Sequence, residues 1–335
     1  MSAVHTKGYV RRDRATAMGT QPPILLGYTL DDEEATTLTN VLQSTLGDVS
    51  VDYRPTPAGT RSAIESAEIL VTFGLTDELL ERAQSLEWIQ ALSAGVDSYD
   101  VATIESREIV LTSASGVHAQ PAAEQAIGYM LAFERNFPAA FSNQQRGVFE
   151  RYAVGELHGS TVGIVGLGAI GRRVAELATP FGVETIGLKR DLSTGGDVVD
   201  ELVGPEDLES LLVRSDHVVL CCPLTEQTRK MIDTQALRTM NDDAVLINVG
   251  RGGLVDEPAL ERALQRDWIG GAALDVTATE PLPGDSVLWK LSNVLLTPHT
   301  AGATPAYMDR CASIVAKNYR AYVDGDLTGL TNRIV

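Results

Sequence analysis

The chain has few cysteines and no spacing typical of a metal site. Its 335 residues include only three cysteines. Cys221 and Cys222 are adjacent, which makes a bridge between them difficult, and no C-x-x-C spacing indicates zinc. We therefore expect reduced thiols in a cytoplasmic protein, with neither a metal nor a disulfide in its chemistry.

Long apolar runs are also missing. No stretch reaches the roughly 18 apolar residues that a membrane-spanning helix needs, so we expect no membrane partner. Residues 1–23 contain four basic side chains, but no apolar segment follows them, and they do not resemble a secretory signal. We expect residues 1–23 to be a disordered tail or a remnant of cloning.

Positive charge is scarce, and lysine above all. The chain has 45 acidic and 27 basic residues, for a net charge of −18, and only five of the basic residues are lysines. Such a field repels nucleic acid, so we expect no nucleic-acid partner. Excess carboxylate with little lysine is typical of salt-loaded cytoplasms, where counter-ions screen the self-repulsion. The sequence favours a halophilic source; an acidic enzyme from an ordinary cytoplasm is the alternative.

The length and the order of the predicted elements indicate two α/β domains. Short apolar strands alternate with helices from Ile24 to Thr112, and the alternation restarts at Thr161 and persists to His299. This pattern predicts parallel sheets covered on both faces. Between the two stretches, Ala119 to Arg135 reads as an alanine-rich helix, a spacer between lobes more than a core element.

We therefore expect two doubly wound parallel-sheet domains, Rossmann-like or flavodoxin-like, with a cleft between them. Residues 24–117 plus 300–335 would form the substrate domain. Residues 118–299 would form the dinucleotide-binding domain. Substrate would enter the cleft, and closure of the two lobes would expel water.

A glycine motif marks a dinucleotide site. Gly166, Gly168 and Gly171 follow an apolar strand and open a helix, with Ala169 and Ile170 inside the motif. The first glycine allows a tight turn, the second lets a pyrophosphate approach the backbone, and the third lets the helix pack closely on the strand. The pyrophosphate would bind at the helix N-terminus.

The next predicted strand ends in Lys189-Arg190-Asp191. NAD-dependent enzymes usually place an acid at this strand end to bind the ribose 2′-hydroxyl, whereas Lys189 occupies the matching position here. Because Lys189 and Arg190 suit a 2′-phosphate, we expect NADP as the preferred cofactor and NAD as a possible one. The alternative is that both cations face solvent and Asp191 binds the ribose.

Three later apolar segments, predicted to be strands, are each followed by a residue whose side chain can carry charge or transfer a proton. These residues are Arg251, Glu280 and His299. Carboxyl ends of parallel strands meet at one edge of a sheet, where ligands bind. Arg251 can bind a carboxylate and polarise a carbonyl, and His299 can give and take a proton near neutral pH. Glu280 could orient the imidazole and favour its protonated form. The set predicts hydride transfer to a 2-oxo acid.

Each of these residues also has a structural interpretation. Arg251 could form a salt bridge at a sheet end, Glu280 could be a solvated loop acid, and His299 could be a packed histidine. The glycines around Arg251 favour a backbone pressed against a ligand. Of the other histidines, His118 could line the cleft, and we expect His217 to be structural.

These motifs resemble the D-isomer-specific 2-hydroxyacid dehydrogenases. The resemblance covers nearly all of Ile24 to Tyr322, with its motifs in the expected order. It is carried by the glycine motif, Asn248-Val249-Gly250-Arg251-Gly252, Ala273-Leu274-Asp275-Val276, Glu280-Pro281-Leu282 and Thr297-Pro298-His299-Thr300-Ala301-Gly302. It implies reversible reduction of 2-oxo acids to D-2-hydroxy acids, with Arg251, Glu280 and His299 as catalytic residues.

The resemblance implies further contacts. The loop Ser93-Ala94-Gly95-Val96-Asp97 would bind the substrate carboxylate through backbone N–H groups, together with Arg251 and His299. Asp275 would approach the nicotinamide carboxamide. The remaining implied cofactor contacts are Cys222, Pro223, Thr228, Val249 and Gly302. A homodimer is also implied, with the helix Ala119 to Arg135 as its contact surface.

The resemblance leaves alternatives open. Glu280 separates the chain from formate dehydrogenases, which carry an amide at the matching place. A glyoxylate/hydroxypyruvate reductase or a 3-phosphoglycerate-type dehydrogenase of the same family differs only in substrate. With 335 residues we expect no room for the regulatory extension of many 3-phosphoglycerate dehydrogenases, which makes that alternative less expected. A cofactor-sensing, non-catalytic protein like the dehydrogenase-related corepressors would keep the same motifs.

Overall fold

The structure is a computed structural model, and it describes residues 21–96 and 98–335. The tail predicted for residues 1–23 therefore falls almost entirely outside the described residues. Internal contacts divide the described chain into two units. The first contains the residues up to Ala114 together with Met308–Val335, and the second is Ser115–Tyr307.

The first unit is built on a parallel sheet of five strands. The strands are β1 (Ile24–Leu26), β2 (Val51–Tyr53), β3 (Ile69–Thr72), β4 (Trp88–Ala91) and β5 (Val110–Thr112). Their spatial order is β2-β1-β3-β4-β5, the flavodoxin-like order of doubly wound sheets. All strands except β2 are buried along their whole length, as expected where helices cover both faces.

Short helices connect these strands: α1 (Asp32–Leu46), α2 (Pro57–Ala63), α3 (Asp77–Arg82) and α4 (Val101–Ser106). The first begins at a capping box, in which the Asp31 carboxylate accepts from the Glu34 N–H and the Glu34 carboxylate accepts from the Asp31 N–H, at 2.8 and 3.0 Å. These bonds satisfy N–H groups that a helix start otherwise leaves unpaired.

The second unit contains a parallel sheet of seven strands. They are β6 (Thr161–Val165), β7 (Glu184–Leu188), β8 (Glu201–Val203), β9 (His217–Leu220), β10 (Val245–Asn248), β11 (Gly271–Leu274) and β12 (Val294–Leu296). The order is β12-β11-β10-β9-β6-β7-β8. The direction of winding reverses between β6 and β9, and doubly wound sheets bind dinucleotides at such a reversal. The predicted fold class, two doubly wound parallel sheets with helices, is confirmed.

The α-helices between the strands and before them in this unit are α5 (Ala119–Glu134), α6 (Phe137–Arg146), α7 (Ala169–Ala178), α8 (Leu208–Arg214), α9 (Thr234–Thr239) and α10 (Glu257–Gln265). The prediction that α5 is a spacer more than a core element was wrong. Its residues Ala122, Ala126 and Met130 are fully or almost fully buried, and the helix packs against α7. The alanines allow this because their small side chains let two helices approach closely.

The last helix, α11 (Tyr307–Val323), carries the chain back to the first unit. There the buried Asn318 amide donates to the Gln90 side-chain oxygen at 2.9 Å and to the Thr331 carbonyl at 3.0 Å. The Thr112 hydroxyl donates to the same Gln90 oxygen. These bonds satisfy polar groups inside an apolar core. No helix in the described part of the chain is long and apolar enough to cross a bilayer.

Candidate active site

The carboxyl edge of the second sheet collects the loops that carry the predicted catalytic residues. Arg251 follows β10, Glu280 follows β11, and His299 follows β12. These three strands are parallel neighbours in the sheet. Their loops therefore emerge on one side.

His299 and Glu280 form a hydrogen-bonded pair. The distance from His299 Nδ1 to Glu280 Oε2 is 2.7 Å. The second carboxylate oxygen, Oε1, accepts from the Thr277 N–H at 3.1 Å, so both oxygens of Glu280 are fixed. The side chains are 54% and 38% exposed, which leaves the pair accessible from solvent. Among the described residues, Nε2 of His299 has no hydrogen-bond partner and stays available to a ligand.

The surroundings keep Glu280 ionised. Burial on its own would raise the pKa of Glu280, but the hydrogen bond with His299, the Thr277 N–H and the charges of His299 and Arg251 together lower this pKa. A carboxylate that stays charged can accept a hydrogen bond from the imidazole and fix its orientation. The guanidinium of Arg251 contributes the smallest part of this lowering of the Glu280 pKa.

A buried asparagine shapes the Arg251 loop. Asn248, 1% exposed, donates from Nδ2 to the Arg251 carbonyl at 3.0 Å and accepts from the Gly250 N–H at 3.1 Å. The Arg251 side chain itself is exposed and donates from Nη1 to the Gly250 carbonyl. Its planar fork retains donors that can bind an anion.

Gly252 brings the Arg251 loop against the Glu280 loop. A Cβ added at Gly252 would lie 1.9 Å from the Thr277 carbonyl oxygen. Any side chain here would push the two loops apart. The Glu257 carboxylate accepts from the Ala278 N–H at 2.9 Å and holds the Glu280 loop in place.

The backbone of His299 is left-handed, with φ of +54°. Its N–H donates to the Asp275 carbonyl at 2.8 Å. The Asp275 carboxylate accepts from the N–H groups of Thr300 and Ala301, both at 2.9 Å, and is 3% exposed. Non-glycine residues rarely adopt this conformation unless surrounding bonds enforce it. Asp275, predicted to approach the nicotinamide, thus clamps the turn that presents His299.

The glycine motif forms a tight turn between β6 and α7. Gly166 has φ of +103°, and a Cβ there would lie 2.7 Å from the Cys222 backbone. A Cβ on Gly171 would lie 2.0 Å from the Gly166 carbonyl oxygen, whereas a Cβ on Gly168 would meet nothing within 4 Å. The open space above Gly168 lies at the start of α7, where free N–H groups attract a pyrophosphate. Ala169 and Ile170 form the first turn of that helix.

At the end of β7, the predicted NADP-binding cations lie in an exposed loop. Lys189 Nζ donates to the Thr194 carbonyl at 3.3 Å and to the Thr194 hydroxyl. Arg190 is exposed. Asp191 is turned into its own loop, because one carboxylate oxygen accepts from the Ser193 hydroxyl at 2.6 Å and from the Ser193 N–H at 3.0 Å. These two bonds, together with the charge of Lys189, outweigh slight burial and lower the pKa of Asp191.

Other predicted cofactor contacts lie on the same edge. Cys222 follows β9 and faces Gly166, and burial raises the pKa of its thiol to about 11, so the thiol stays protonated. The Thr228 hydroxyl donates to the Pro223 carbonyl at 2.7 Å. Val249 is buried immediately after β10.

Gly302 ends the His299 turn and contacts His118. The Gly302 carbonyl lies 3.0 Å from His118 Nδ1, and a Cβ on Gly302 would lie 2.8 Å from that nitrogen. His118, which the sequence left open as a cleft residue, thus supports the backbone of this turn.

The predicted carboxylate-binding loop Ser93–Val96 belongs to the first unit and follows β4. The Ser93 hydroxyl donates to the Gly95 carbonyl at 2.7 Å, and the Ser93 carbonyl accepts from the Ala114 N–H at 2.9 Å. Ala94 and Val96 are partly buried and Gly95 is exposed. Asp97 lies outside the described residues.

Several supporting residues were not predicted as part of the site. Asn248 and Thr297 lie inside motifs that were recognised from the sequence. Their position in the sequence close to Arg251 and His299 could have indicated that they support the site. Tyr129, whose hydroxyl bonds Thr297, is separated from it by 168 residues. Sequence spacing carries no sign of such a contact.

The chain is similar to known proteins of one family. Residues 127–301 match the family described as D-isomer specific 2-hydroxyacid dehydrogenase, NAD binding domain. A glyoxylate reductase of Thermococcus litoralis is 36% identical over 275 residues, covering 79% of this chain and 82% of that protein. The glyoxylate/hydroxypyruvate reductase HPR3 of Arabidopsis thaliana is 33% identical over 318 residues, covering 91% and 96%.

A D-3-phosphoglycerate dehydrogenase of Methanocaldococcus jannaschii is 34% identical over 293 residues. The match covers 84% of this chain and 55% of that protein, so the chain spans about half the length of this relative.

Solved structures are also similar. A family member from Aeromonas salmonicida subsp. salmonicida superposes with a TM-score of 0.77 at 27% identity, covering 94% of this chain and 99% of that one. D-lactate dehydrogenase from Aquifex aeolicus, complexed with NAD and lactic acid, gives 0.69 at 27%, covering 93% and 99%. A family member from Xanthobacter autotrophicus in complex with NADPH and MES gives 0.77 at 25%, covering 94% and 98%. The chain therefore belongs to the D-isomer-specific 2-hydroxyacid dehydrogenases, and it is an NAD(P)-dependent oxidoreductase.

Proposed function

We propose that this enzyme reduces small 2-oxo acids to D-2-hydroxy acids, reversibly and preferentially with NADPH. The observation that carries the proposal is the 2.7 Å bond between His299 and Glu280 beside the Arg251 loop. A general acid held in a fixed orientation next to an exposed guanidinium suits reduction of a carbonyl that carries a neighbouring carboxylate.

The proposed roles follow from the chemistry of each side chain. Arg251 binds the substrate carboxylate and polarises the carbonyl, since its fork offers two parallel donors. His299 gives a proton from Nε2 to the carbonyl oxygen in reduction and takes it back in oxidation. Glu280 orients the imidazole through Nδ1 and balances its charge. The bound nicotinamide supplies the hydride.

Residues of the glycine motif would hold the cofactor's pyrophosphate above Gly168. Lys189 and Arg190 support a preference for NADPH, because two cations at the end of β7 can neutralise a 2′-phosphate. The engagement of Asp191 with Ser193 adds to this, since it keeps that carboxylate bonded within its own loop. We expect NADH to serve as a weaker substitute.

Glyoxylate and hydroxypyruvate are the substrates we propose first. The support comes from the glyoxylate reductase of Thermococcus litoralis and the reductase of Arabidopsis thaliana, to which this chain is similar along most of its length. The Ser93–Val96 loop remains our proposal for a second carboxylate contact, through its backbone N–H groups.

A homodimer remains part of the proposal. Helix α6 has no buried residue, and Phe137 and Phe141 on it are 44% and 59% exposed. Phe149, just beyond α6, is fully exposed. Apolar surface of this kind is typical of an interface between protein chains. This surface adjoins α5, the predicted contact helix. A cytoplasmic location is proposed with it, on the strength of three free thiols.

Turnover measurements test the proposal. Oxidation of NADPH and of NADH should be followed with glyoxylate, hydroxypyruvate, pyruvate and a branched-chain 2-oxo acid, each at low and at high KCl. We expect turnover with glyoxylate or hydroxypyruvate, a lower KM for NADPH than for NADH, and higher activity in concentrated salt. Cofactor binding without turnover of any 2-oxo acid would refute the proposed reaction and favour a corepressor-like role. A marked preference for NADH would refute the cofactor assignment.

A further inference from the structure

A chain of hydrogen bonds connects the His299 turn to helix α5. The Thr297 hydroxyl donates to Asp275 Oδ1, and the Tyr129 hydroxyl bonds the Thr297 oxygen. Because a hydroxyl has one proton, which Thr297 gives to Asp275, Tyr129 must be the donor to Thr297. Asp275 therefore receives three hydrogen bonds on its carboxylate, from Thr297 and from the N–H groups of Thr300 and Ala301.

The two ends of this chain of bonds are buried, and Thr297 between them is partly buried. Tyr129 is 5% exposed and Asp275 is 3% exposed. Burial raises the pKa of Tyr129 more than its bonds to Thr297 and Gln125 lower it, so the phenol keeps its proton. Buried polar groups must be paired, and removing one partner leaves the next without a bond. Loss of the Thr297 hydroxyl would thus affect both Tyr129 and Asp275.

These bonds converge on a backbone conformation that needs support. His299 is a non-glycine residue with φ of +54°. Such a conformation costs free energy and persists where surrounding bonds over-determine it. Pro298 lies between Thr297 and His299. The two residues after His299, Thr300 and Ala301, donate their N–H groups to the Asp275 carboxylate. Asp275 also accepts the His299 N–H through its own carbonyl, at 2.8 Å.

We propose that Thr297 and Tyr129 are positioning residues, which act through Asp275 to hold His299 in its left-handed conformation and so aim its imidazole at Glu280 and at the substrate. The inference rests on the proposed function, in which His299 moves the proton. Neither hydroxyl bonds the imidazole, so both act through the backbone of the turn.

The expected kinetic signature is a loss in kcat larger than any change in KM, because a misaimed acid still leaves the carboxylate-binding arginine in place. Thr297→Val keeps the shape and removes the hydroxyl. We expect kcat to fall about 10-fold, the rate equivalent of one hydrogen bond to a charged group. Tyr129→Phe should lower kcat roughly 3-fold, since it removes a neutral bond one step further away. Thr297→Ser restores the hydroxyl and should restore kcat.

Tyr152→Phe is the matched control for Tyr129→Phe. Tyr152 lies in the loop after α6, and its hydroxyl makes no hydrogen bond within the described residues. It should behave as wild type. Circular dichroism of each variant checks that the fold is retained.

A second readout does not depend on turnover. In protein labelled with ¹⁵N-histidine, the Nδ1 proton of His299 should resonate far downfield because Glu280 holds it, and its loss in His299→Asn assigns it. We expect this resonance to shift or broaden in Thr297→Val and to return in Thr297→Ser.

The results distinguish a failure of the proposed function from a failure of the positioning role. If wild type reduces no 2-oxo acid, the proposed function fails, and the resonance alone then decides whether Thr297 positions the imidazole. If Thr297→Val keeps both kcat and the resonance, or if Thr297→Ser is damaged as much as Thr297→Val, the positioning role is overturned. A folded Tyr129→Phe variant with wild-type kcat and an unchanged resonance removes Tyr129 from the network.

Discussion

Two histidine–glutamate pairs occur in the second unit, and they have similar bonds in different surroundings. His299 lies 2.7 Å from Glu280, and His217 lies 3.0 Å from Glu134. The His299 side chain is 54% exposed on a loop, whereas the His217 side chain is 1% exposed on the central strand β9. The second ring nitrogen of His217, Nδ1, is buried without a hydrogen-bond partner.

Pairing with a carboxylate is therefore not what singles out His299 as the proposed catalytic histidine. What distinguishes His299 is a ring nitrogen that a ligand can reach and a backbone clamped by Asp275. His217 connects the sheet to the end of α5, and no substrate can reach it in this fold. This agrees with the expectation that His217 is structural, although its pairing with Glu134 was not foreseen.

Replacing the two histidines should give opposite results. His299→Asn removes the proton donor, and we expect kcat for glyoxylate reduction to fall about 10²- to 10⁴-fold with little change in stability. His217→Asn should leave kcat close to wild type and lower the free energy of unfolding by roughly 1–3 kcal/mol, because Glu134 loses a buried partner. Steady-state kinetics and urea denaturation of both variants check this. Equal losses of kcat would remove the distinction.

Two arginines extend the comparison to the anion-binding group. Arg251→Lys loses the planar fork, and we expect kcat/KM for the 2-oxo acid to fall about 10- to 100-fold. Arg214 makes an exposed ion pair with Glu201 at 2.6 Å, and such pairs contribute little. Arg214→Lys is therefore the control, with unchanged kcat/KM. If Arg251→Lys were equally silent, Arg251 would not bind the carboxylate.

Replacing the glutamates that pair with these histidines should also give different effects on kcat. Glu280→Gln keeps the shape but cannot balance an imidazolium, and we expect kcat to fall about 10-fold, as for a lost hydrogen bond to a charged group. Glu134→Gln should leave kcat unchanged, since it acts far from the loops of the carboxyl edge. A fall in kcat for both would place His217 in the catalytic pathway.

The loop after β7 allows a comparison between two cofactors, NADPH and NADH, at one proposed site. The double variant Lys189→Ser/Arg190→Ser should raise KM for NADPH about 10-fold, because two charge-assisted contacts to the 2′-phosphate are lost. KM for NADH should change little. Equal changes for both cofactors would mean that these side chains do not bind the 2′-phosphate, and a gain with NADH alone would point to Asp191 as the ribose ligand.

The smallest expected effect is on the pH dependence of stability. The pKa of Glu280 is lowered in the folded protein from its ordinary value of 4.5, so its stabilising contribution is present above that value and is lost as pH falls through the folded pKa. The difference in unfolding free energy between wild type and Glu280→Gln should therefore shrink on acidification below about pH 4.5. Urea titrations at several pH values measure it. A difference that grows toward low pH would have the wrong sign.

Much of this site follows from the sequence because parallel strands converge at one edge. The apolar segments before Arg251, Glu280 and His299 become adjacent strands, and strand polarity then brings the three residues together. The glycine motif was recognised as easily from the sequence, and in the structure Gly166 and Gly171 leave no room for a Cβ whereas Gly168 borders open space. These features depend on local sequence and on a rule of topology.

Other features depend on contacts that no local pattern reveals. The burial of α5 requires α7 to pack against it, and the alanine spacing of Ala119 to Arg135 fits an exposed spacer as well as a core helix. The bond between Tyr129 and Thr297 joins residues 168 positions apart. The left-handed backbone of His299 could not be predicted either, because histidine adopts it only occasionally and the bonds to Asp275 that support it join distant parts of the sequence.

The pH dependence of kcat/KM decides whether His299, paired with Glu280, gives the proton to the substrate that is reduced. Wild type and Glu280→Gln should be compared in the reduction of glyoxylate by NADPH between about pH 5 and 10, a range that spans histidine titration. We predict that activity falls toward high pH in both, and that the fall begins at lower pH in Glu280→Gln because the charged partner no longer favours the protonated imidazole. Superimposable profiles would mean that Glu280 does not act on the proton donor.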